Sequence, residues 1–427
     1  MKMNFAALAA AAMMAAAPAM ADLVVPNLSY RTGPYAPGGV PYADGFQDYF
    51  TLLNERDGGI GGEIVQVPEC ETAYNTEKGV ECYEATKGNN ALAFNPLSTG
   101  ITYQLIPKVT SDGSTLYTPG YGRTSASNGK VFSNVFNYPA NYWTAASVAI
   151  NYLLAENGGD LKGKKIALVY HNSSYGKEPI RTLEELSKKH GFELVQLPVE
   201  HPGQEQKSQW LQIRREKPDN VIMYGWGVMN AVAIQEAANI RYPMDQFIGI
   251  WWSGADHDVL PAGDGADGYK SLAMHGTGMD YPVYADMKKY VSDAGKGAGA
   301  GDQVGGVLYS RGMYAAMIIA EALRTAQEIA GTSQVTPAQV RDGFENLEIT
   351  EERMEELGLP DFGQAFKATC EDHGGPGKAR IQQWDATAKT WTLISGWIEP
   401  DMDVIQPLIL EDSEAYAAEN NIEHRCN

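Results

Sequence analysis

Positive charge is scarce in this chain. Its 427 residues carry 33 lysines and arginines against 53 aspartates and glutamates, a net charge of -20. A phosphate backbone repels such a surface, which argues against nucleic acid as a partner. Cysteine is sparse too, four in all. No C-x-x-C pair or histidine cluster accompanies them, so neither a metal centre nor a catalytic thiol is expected. Catalytic signatures are missing. No G-x-G-x-x-G opens a helix, and there is no G-x-x-x-x-G-K-[ST] and no H-E-x-x-H. No G-x-S-x-G occurs; Gly113-Ser114 and Ser253-Gly254 lack the flanking pattern. His171, His201, His257 and His275 are scattered one to a loop. The pairs Glu351-Glu352 and Glu355-Glu356 lie in a charge-rich, solvated stretch. The chain therefore does not read as an enzyme, and no cofactor is expected.

What is present begins with residues 1–21. Met1-Lys2 is a short basic start, Phe5 to Ala17 is almost wholly apolar, and Ala19-Met20-Ala21 is an A-x-A cleavage site before Asp22. This is the pattern of a secretory signal peptide. The run is shorter than the roughly 20 residues that span a bilayer, and no second apolar span follows. An exported protein in an oxidising compartment is expected, with its cysteines paired. Four cysteines allow three pairings. In one of them Cys70–Cys82 closes the polar loop ECETAYNTEKGVEC, and Cys370–Cys426 ties the end of the chain to its body.

The remainder repeats strand, loop and helix. Leu23–Leu28 reads as a strand. Pro41 is expected to open a helix that Asp57-Gly58-Gly59 stops. Gly62–Val67, Ala91–Phe94 and Leu116–Thr118 read as further strands. A second cycle runs through the helix Tyr142–Glu156, the strand Lys164–Tyr170 and the helix Ile180–His190. The strand Phe192–Val199, the helix Gln204–Glu216, the strand Asn220–Tyr224, the helix Met229–Asn239 and the strand Phe247–Trp252 continue it. Such alternation predicts an α/β fold with parallel sheets built from βαβ units. Tyr309–Ile329 reads as a long helix with Ala and Met on its inner face. Arg380–Trp384 and Thr390–Ser395 read as a late antiparallel hairpin.

Ligands of open parallel sheets bind at the carboxyl ends of the strands, where helix N-termini present free N–H groups. The loops at those ends are the candidate site. Tyr35 lies in TGPYAPGG, and Ser98 and Thr99 lie in NPLSTG ahead of an expected helix, where hydroxyls suit an anionic oxygen or serve as caps. Tyr121, Gly122 and Arg123 follow the next strand, and Arg123 is suited to pair a carboxylate. His171 and Tyr175, then Trp226, then Trp251, Trp252, Ser253 and Asp256 follow three later strands. Three successive loops with a large aromatic near the strand end suggest the wall of an aromatic-lined pocket.

With TGPYAPGG, NERDGGIGG, TLYTPGYG, KGKKIALVYHNSSYGKE, YSRGMYAAMIIAEAL and GPGKARIQQWDATAKTWTLIS in this order, the mature chain resembles type I periplasmic solute-binding proteins. The likeness is to the leucine/isoleucine/valine-binding kind that serves ABC importers. The resemblance implies two Rossmann-like, doubly wound lobes joined by a three-strand hinge and closing on ligand. The lobes would be 22–137 with 282–366, and 138–281 with 367–427. The crossings would fall near Val135–Asn141, Gly276–Tyr281 and Lys367–Ala379. The partner would be an ABC permease, the location the periplasm, and the protein a monomer.

The resemblance also assigns the ligand's carboxylate to Ser98 or Thr99 and the Tyr121–Thr124 turn, and its body to Tyr175 and Trp226. Amino-acid binders of this kind hold the ammonium with an acid. Here that position resembles Ser253, with Asp256 three residues on. A buried ammonium without a carboxylate partner is costly. Two ligand classes follow: an aromatic or other small carboxylate, or a neutral polar compound such as an amide, without an amino group; or a branched-chain or aromatic amino acid held by Asp256. A ligand sensor reporting to a receptor is a third reading of the same fold.

Overall fold

The structure, a computed structural model, describes residues 22–426 apart from 300 and 302. The expected signal segment, residues 1–21, lies outside the described residues. The chain starts in β1 (Leu23–Val24), breaks at Pro26, which has no N–H for the ladder, and resumes in β2 (Asn27–Ser29). There follow α1 (Ala36–Asp57), β3 (Val65–Gln66), β4 (Glu69–Glu71), α2 (Thr76–Thr86) and β5 (Ala93–Phe94). Next come α3 (Thr99–Asp112), β6 (Thr115–Tyr117) and β7 (Val135–Phe136). β1 pairs with β3, β2 with β4, and β5 with β6 and β6 with β7, all parallel. Parallel bridges Val24–Ala91 and Asn27–Asn95 knit these short ladders together. This is the sheet of the first lobe.

The second lobe is built on α4 (Tyr142–Glu156), β8 (Lys165–His171), α5 (Ser174–Lys177), α6 (Ile180–His190) and β9 (Glu193–Val199). It continues through α7 (Lys207–Glu216), β10 (Asn220–Tyr224), α8 (Val228–Asn239), β11 (Phe247–Gly249), α9 (Asp256–Val259) and β12 (Lys270–Ala273). The chain then passes through α10 (Pro282–Met287), α11 (Val307–Ala330), α12 (Pro337–Glu345), β13 (Glu348–Ile349), α13 (Glu351–Glu356) and β14 (Phe366–Lys367). It ends in β15 (Arg380–Asp385), β16 (Thr390–Leu393) and α14 (Met402–Asn420). The second sheet has seven strands in the order β16-β15-β12-β11-β10-β8-β9, parallel from β12 to β9, with the β15–β16 hairpin antiparallel on one edge.

Several elements follow from local chemistry. Asn141 caps α4 by accepting from Trp143 N at 3.1 Å and Thr144 N at 3.0 Å, and the Thr144 hydroxyl in turn accepts from Asn141 N at 3.1 Å, a full capping box. Gly58 ends α1 in a left-handed conformation, as its sequence position predicts. α1 nonetheless opens at Ala36 rather than at Pro41. Pro37 takes the first turn, where a missing N–H is harmless, and Pro41 is carried inside the helix. α1 and α11 then cross with their backbones in contact: a Cβ on Gly45 would lie 2.0 Å from the Tyr309 carbonyl oxygen, and one on Gly312 1.9 Å from that of Tyr42.

Both disulfides are formed, Cys70–Cys82 and Cys370–Cys426. The segment inside the first is not the loop expected from its polarity. Asn75 caps α2 by accepting from Lys78 N at 3.0 Å, and Cys82 sits on the helix itself. The second disulfide secures the chain beyond α14, a helix the periodicity of the sequence does not reveal. α14 is held to the first lobe by Tyr416 stacked on Phe132 at 4.7 Å and by Asp412 paired with Arg123 at 2.6 Å.

Candidate functional site

A narrow slot opens between the lobes at the carboxyl ends of both sheets. It is lined by Tyr74, Leu97, Ser98, Thr99 and Tyr121 from the first lobe, and by Tyr142, Tyr175, Trp226 and Trp252 from the second. Only about 10 Å³ of it admits the centre of a water molecule, room for about one water. Sites for drug-sized ligands run to roughly 300–1,000 Å³, so in this state the lobes leave next to no room between them.

One end of the slot is polar. Ser98 is the N-cap of α3 and accepts from Ile101 N at 3.4 Å. The next turn of α3 brings backbone N–H groups and the positive end of the helix dipole to the same place. Thr99 Oγ1 lies 3.1 Å from the Tyr142 hydroxyl and accepts from Gly122 N at 3.3 Å. The first of these contacts joins the two lobes. The Tyr121 hydroxyl donates to Asn95 Oδ1 at 2.6 Å and accepts from Leu97 N at 2.9 Å, which fixes the loop ahead of α3.

The other walls are aromatic. Tyr175 stands 5.1 Å from Tyr142, ring to ring, and its hydroxyl donates to the Gly225 carbonyl at 2.9 Å. Trp226 meets Trp252 edge to face at 5.5 Å. The indole N–H of Trp252 donates to the Gly120 carbonyl at 2.8 Å, and that of Trp251 to the same oxygen at 2.9 Å. These bonds again cross from one lobe to the other.

Six of the residues singled out by sequence therefore meet: Ser98, Thr99, Tyr121, Tyr175, Trp226 and Trp252. Gly122 lies one bond outside, against Thr99. Tyr35 is also one layer out, its ring 4.2 Å from Tyr74 and its hydroxyl 2.8 Å from His171 Nε2. Burial pushes the Tyr35 phenol up to about 12 and pulls His171 down to about 4, with His201 adding to the latter. His171 is thus neutral, and the phenol is the donor. Arg123 stands apart from the slot. It bonds Ser125 and Asp412 and lies over the Tyr416 ring at 4.7 Å, so its charge is committed to α14. Ser253 is buried behind the slot, donating to the Gly225 carbonyl at 2.9 Å. Asp256 lines a different cavity of about 300 Å³, with Pro37, Pro41, Gln303 and Tyr309. No carboxylate is among the slot's lining residues.

Tyr74, Leu97 and Tyr142 join the lining without having been singled out. Tyr74 sits at positive φ in the turn before α2, inside the segment that reads as a disulfide loop. Tyr142 is the first residue of α4, and its signal was available: a helix opening right after a crossing between lobes presents its N-terminus to the cleft.

Glu178 is a further link between lobes. One oxygen accepts from the Tyr103 hydroxyl and the other from Thr124 N at 3.3 Å. Burial pushes its carboxyl up to about 7 against the pull of these donors. A free glutamate ionises near ~4.3, so between roughly pH 4.3 and 7 the folded state holds more protons than the unfolded one. Stability contributed at Glu178 must then fall as pH rises through that window. Glu178→Gln is expected to remove this fall. Its melting temperature relative to wild type should rise between pH 5 and pH 7.5, and a difference independent of pH would contradict the assignment.

Comparison with known proteins agrees with this architecture. Residues 23–389 match a family model described as periplasmic binding protein. A solved structure from the Pseudomonas fluorescens group, described as an ABC transporter permease, is 40% identical, covers 95% of this chain and 100% of its own, and superposes with a TM-score of 0.88. A branched-chain amino acid ABC transporter from Thermus thermophilus with bound valine shares the fold at 20% identity, 89% and 97% coverage and a TM-score of 0.75. A curated relative, the Leu/Ile/Val-binding protein homolog 3 of Brucella melitensis, is 24% identical over 212 residues, 49% of this chain. That match spans 56% of the relative's length. Among the described residues no helix is long and apolar enough to cross a membrane. The chain belongs to the periplasmic binding protein family.

Proposed function

We propose that this protein captures a small carboxylate without an amino group between its lobes and delivers it to the permease of an ABC importer. The observation that carries the reading is the composition of the slot: hydroxyls and a helix N-terminus at one end, aromatic rings along the rest, and no carboxylate in its lining. An anionic end meets Ser98, Thr99 and the first turn of α3. The body lies against Tyr175, Trp226 and Trp252, with Tyr35 behind. The lobes, 22–137 with 282–366 and 138–281 with 367–427, close as a clamp, because only the closed state makes both sets of contacts. Residues 1–21 direct export to the periplasm, where the protein acts as a monomer.

The test is a thermal-shift screen of residues 22–427 against matched pairs: leucine with 4-methylpentanoate, phenylalanine with phenylacetate and 3-phenylpropanoate, and benzoate with benzamide. A ligand of the native state stabilises by mass action, about 2.7 kcal/mol at a hundred times Kd. A rise in melting temperature with carboxylates and none with the amino acids is expected. A rise with leucine or phenylalanine alone would sink the reading.

A further inference from the structure

Arg311 lies on the first turns of α11 and is 1% exposed. Its guanidinium reaches from the first lobe to the second. Nη1 donates to the Trp251 carbonyl, Nε donates to His275 Nε2 at 2.9 Å, and the plane lies 4.8 Å from the centre of the Trp252 ring. All three partners are neutral. His275 Nδ1 bonds the Gly276 carbonyl at 2.7 Å, which leaves Nε2 as the acceptor, and burial with the Arg311 charge beside it holds the imidazole uncharged.

Among the described residues no carboxylate is within ion-pair distance of Arg311, whereas Arg380, the other deeply buried arginine, holds Asp361 at 3.0 Å. The buried acid whose field reaches Arg311, Asp258, spends its oxygens on Ala255 N at 3.0 Å and Asn230 Nδ2 at 3.1 Å. A guanidinium sealed among neutral groups is costly unless something supplies the opposite charge. Burial accordingly drags its pKa down to about 9. Trp252 is the partition: it carries Arg311 and is itself a wall of the slot.

We propose that Arg311 is the specificity charge of the cleft, favouring closure around an anion over closure around a neutral or zwitterionic molecule, and resisting closure when no anion is present. The inference rests on the reading of the slot as the solute site. Arg311 acts through Trp252 and through the field it sets in a site with little water, where charge interactions are screened weakly. It is a positioning and electrostatic residue, and it makes no contact with the solute.

The experiment uses residues 22–427 with Arg311→Met and Arg311→Lys, in two arms. Without ligand, small-angle scattering of Arg311→Met should give a smaller radius of gyration than wild type, with Arg311→Lys unchanged. With benzoate and benzamide in calorimetry, Arg311→Met should lose about tenfold or more in benzoate affinity and keep benzamide within twofold. Arg311→Lys should retain the preference for the anion. Should Arg311→Met not fold, Arg311→Gln keeps hydrogen-bond donors without the charge and carries the same expectations. An unchanged benzoate-to-benzamide ratio, or equal loss of both ligands, would overturn the proposal. If wild type binds none of the carboxylates of the matched-pair screen, the carboxylate reading of the slot fails, and the scattering arm decides Arg311 alone: an unchanged radius in Arg311→Met overturns it.

Discussion

Alanine at Gly312 is expected to destabilise the fold by about 3 kcal/mol, the upper end of the range for overpacking. A Cβ there would lie 1.9 Å from the Tyr42 carbonyl oxygen, 2.8 Å from its carbon and 2.9 Å from Phe46 N. All three atoms belong to the backbone of α1, so relief requires moving the helix rather than turning a side chain. The helix-propensity gain of glycine to alanine, about 1 kcal/mol, is too small to offset this. Gly45→Ala should behave alike, since its Cβ would meet the Tyr309 carbonyl oxygen at 2.0 Å from the other side. Gly396→Ala is the control, with nothing within 4 Å of the added carbon. Urea unfolding should show lower midpoints for the first two variants and none of this loss for the third, with the slope constant. A wild-type midpoint for Gly312→Ala would show that the two backbones are not in contact. The consequence reaches the site, because Tyr42 packs 6.5 Å from Trp252 and Arg311 neighbours Gly312.

The second large effect is expected on binding. Trp226→Ala should weaken the best carboxylate of the matched-pair screen by more than tenfold, at least about 1.4 kcal/mol. Buried aromatics at the centre of an interface carry losses of this size. The Trp226 ring is 3% exposed, edge to face with Trp252 at 5.5 Å and with Tyr30 at 6.4 Å. It also marks the contact between lobes, since a Cβ on Gly38 of α1 would lie 2.5 Å from its ring. Removing the ring deletes one wall of the slot and the surface on which α1 settles. Trp391→Phe, on the β15–β16 hairpin, is the control and should bind as wild type does. Unchanged affinity in Trp226→Ala, measured by calorimetry on folded protein, would remove this residue from the site.

Much of the fold was legible where local patterns suffice. α4, α6 and β10 have the bounds their periodicity predicts, because amphipathic or wholly apolar runs there are closed by strong caps and turns. Elsewhere non-local contacts decided. α1 begins five residues ahead of Pro41 because its first turn packs under Tyr30 and Trp226, which the sequence does not place nearby. α2 is short and polar, with its buried face limited to Gly79, Cys82 and Tyr83. α14 carries Pro407 and a mixed pattern, and it is held by Arg123, Asn128 and Phe132 from far earlier in the chain.

The candidate site was legible in part for the same reason. Residues at strand ends could be assigned by the rule for parallel sheets, and six of them line the slot. Arg123 follows a strand as well, but Asp412, 289 residues later, claims it. Arg311 was invisible: on an Ala- and Met-rich helix it reads as one polar residue among many. That no carboxylate among the described residues pairs with it is a fact of packing between lobes.

The central claim is that the slot between α3 and the tryptophans holds a carboxylate. The most direct measurement is a crystal structure of residues 22–427 with the carboxylate that raises the melting temperature most. The account predicts its carboxylate within hydrogen-bond distance of Ser98, Thr99 or the first turn of α3, with its body between Tyr175, Trp226 and Trp252. A ligand seated instead in the cavity beside Asp256, or an amino acid whose ammonium contacts Asp256, would contradict it.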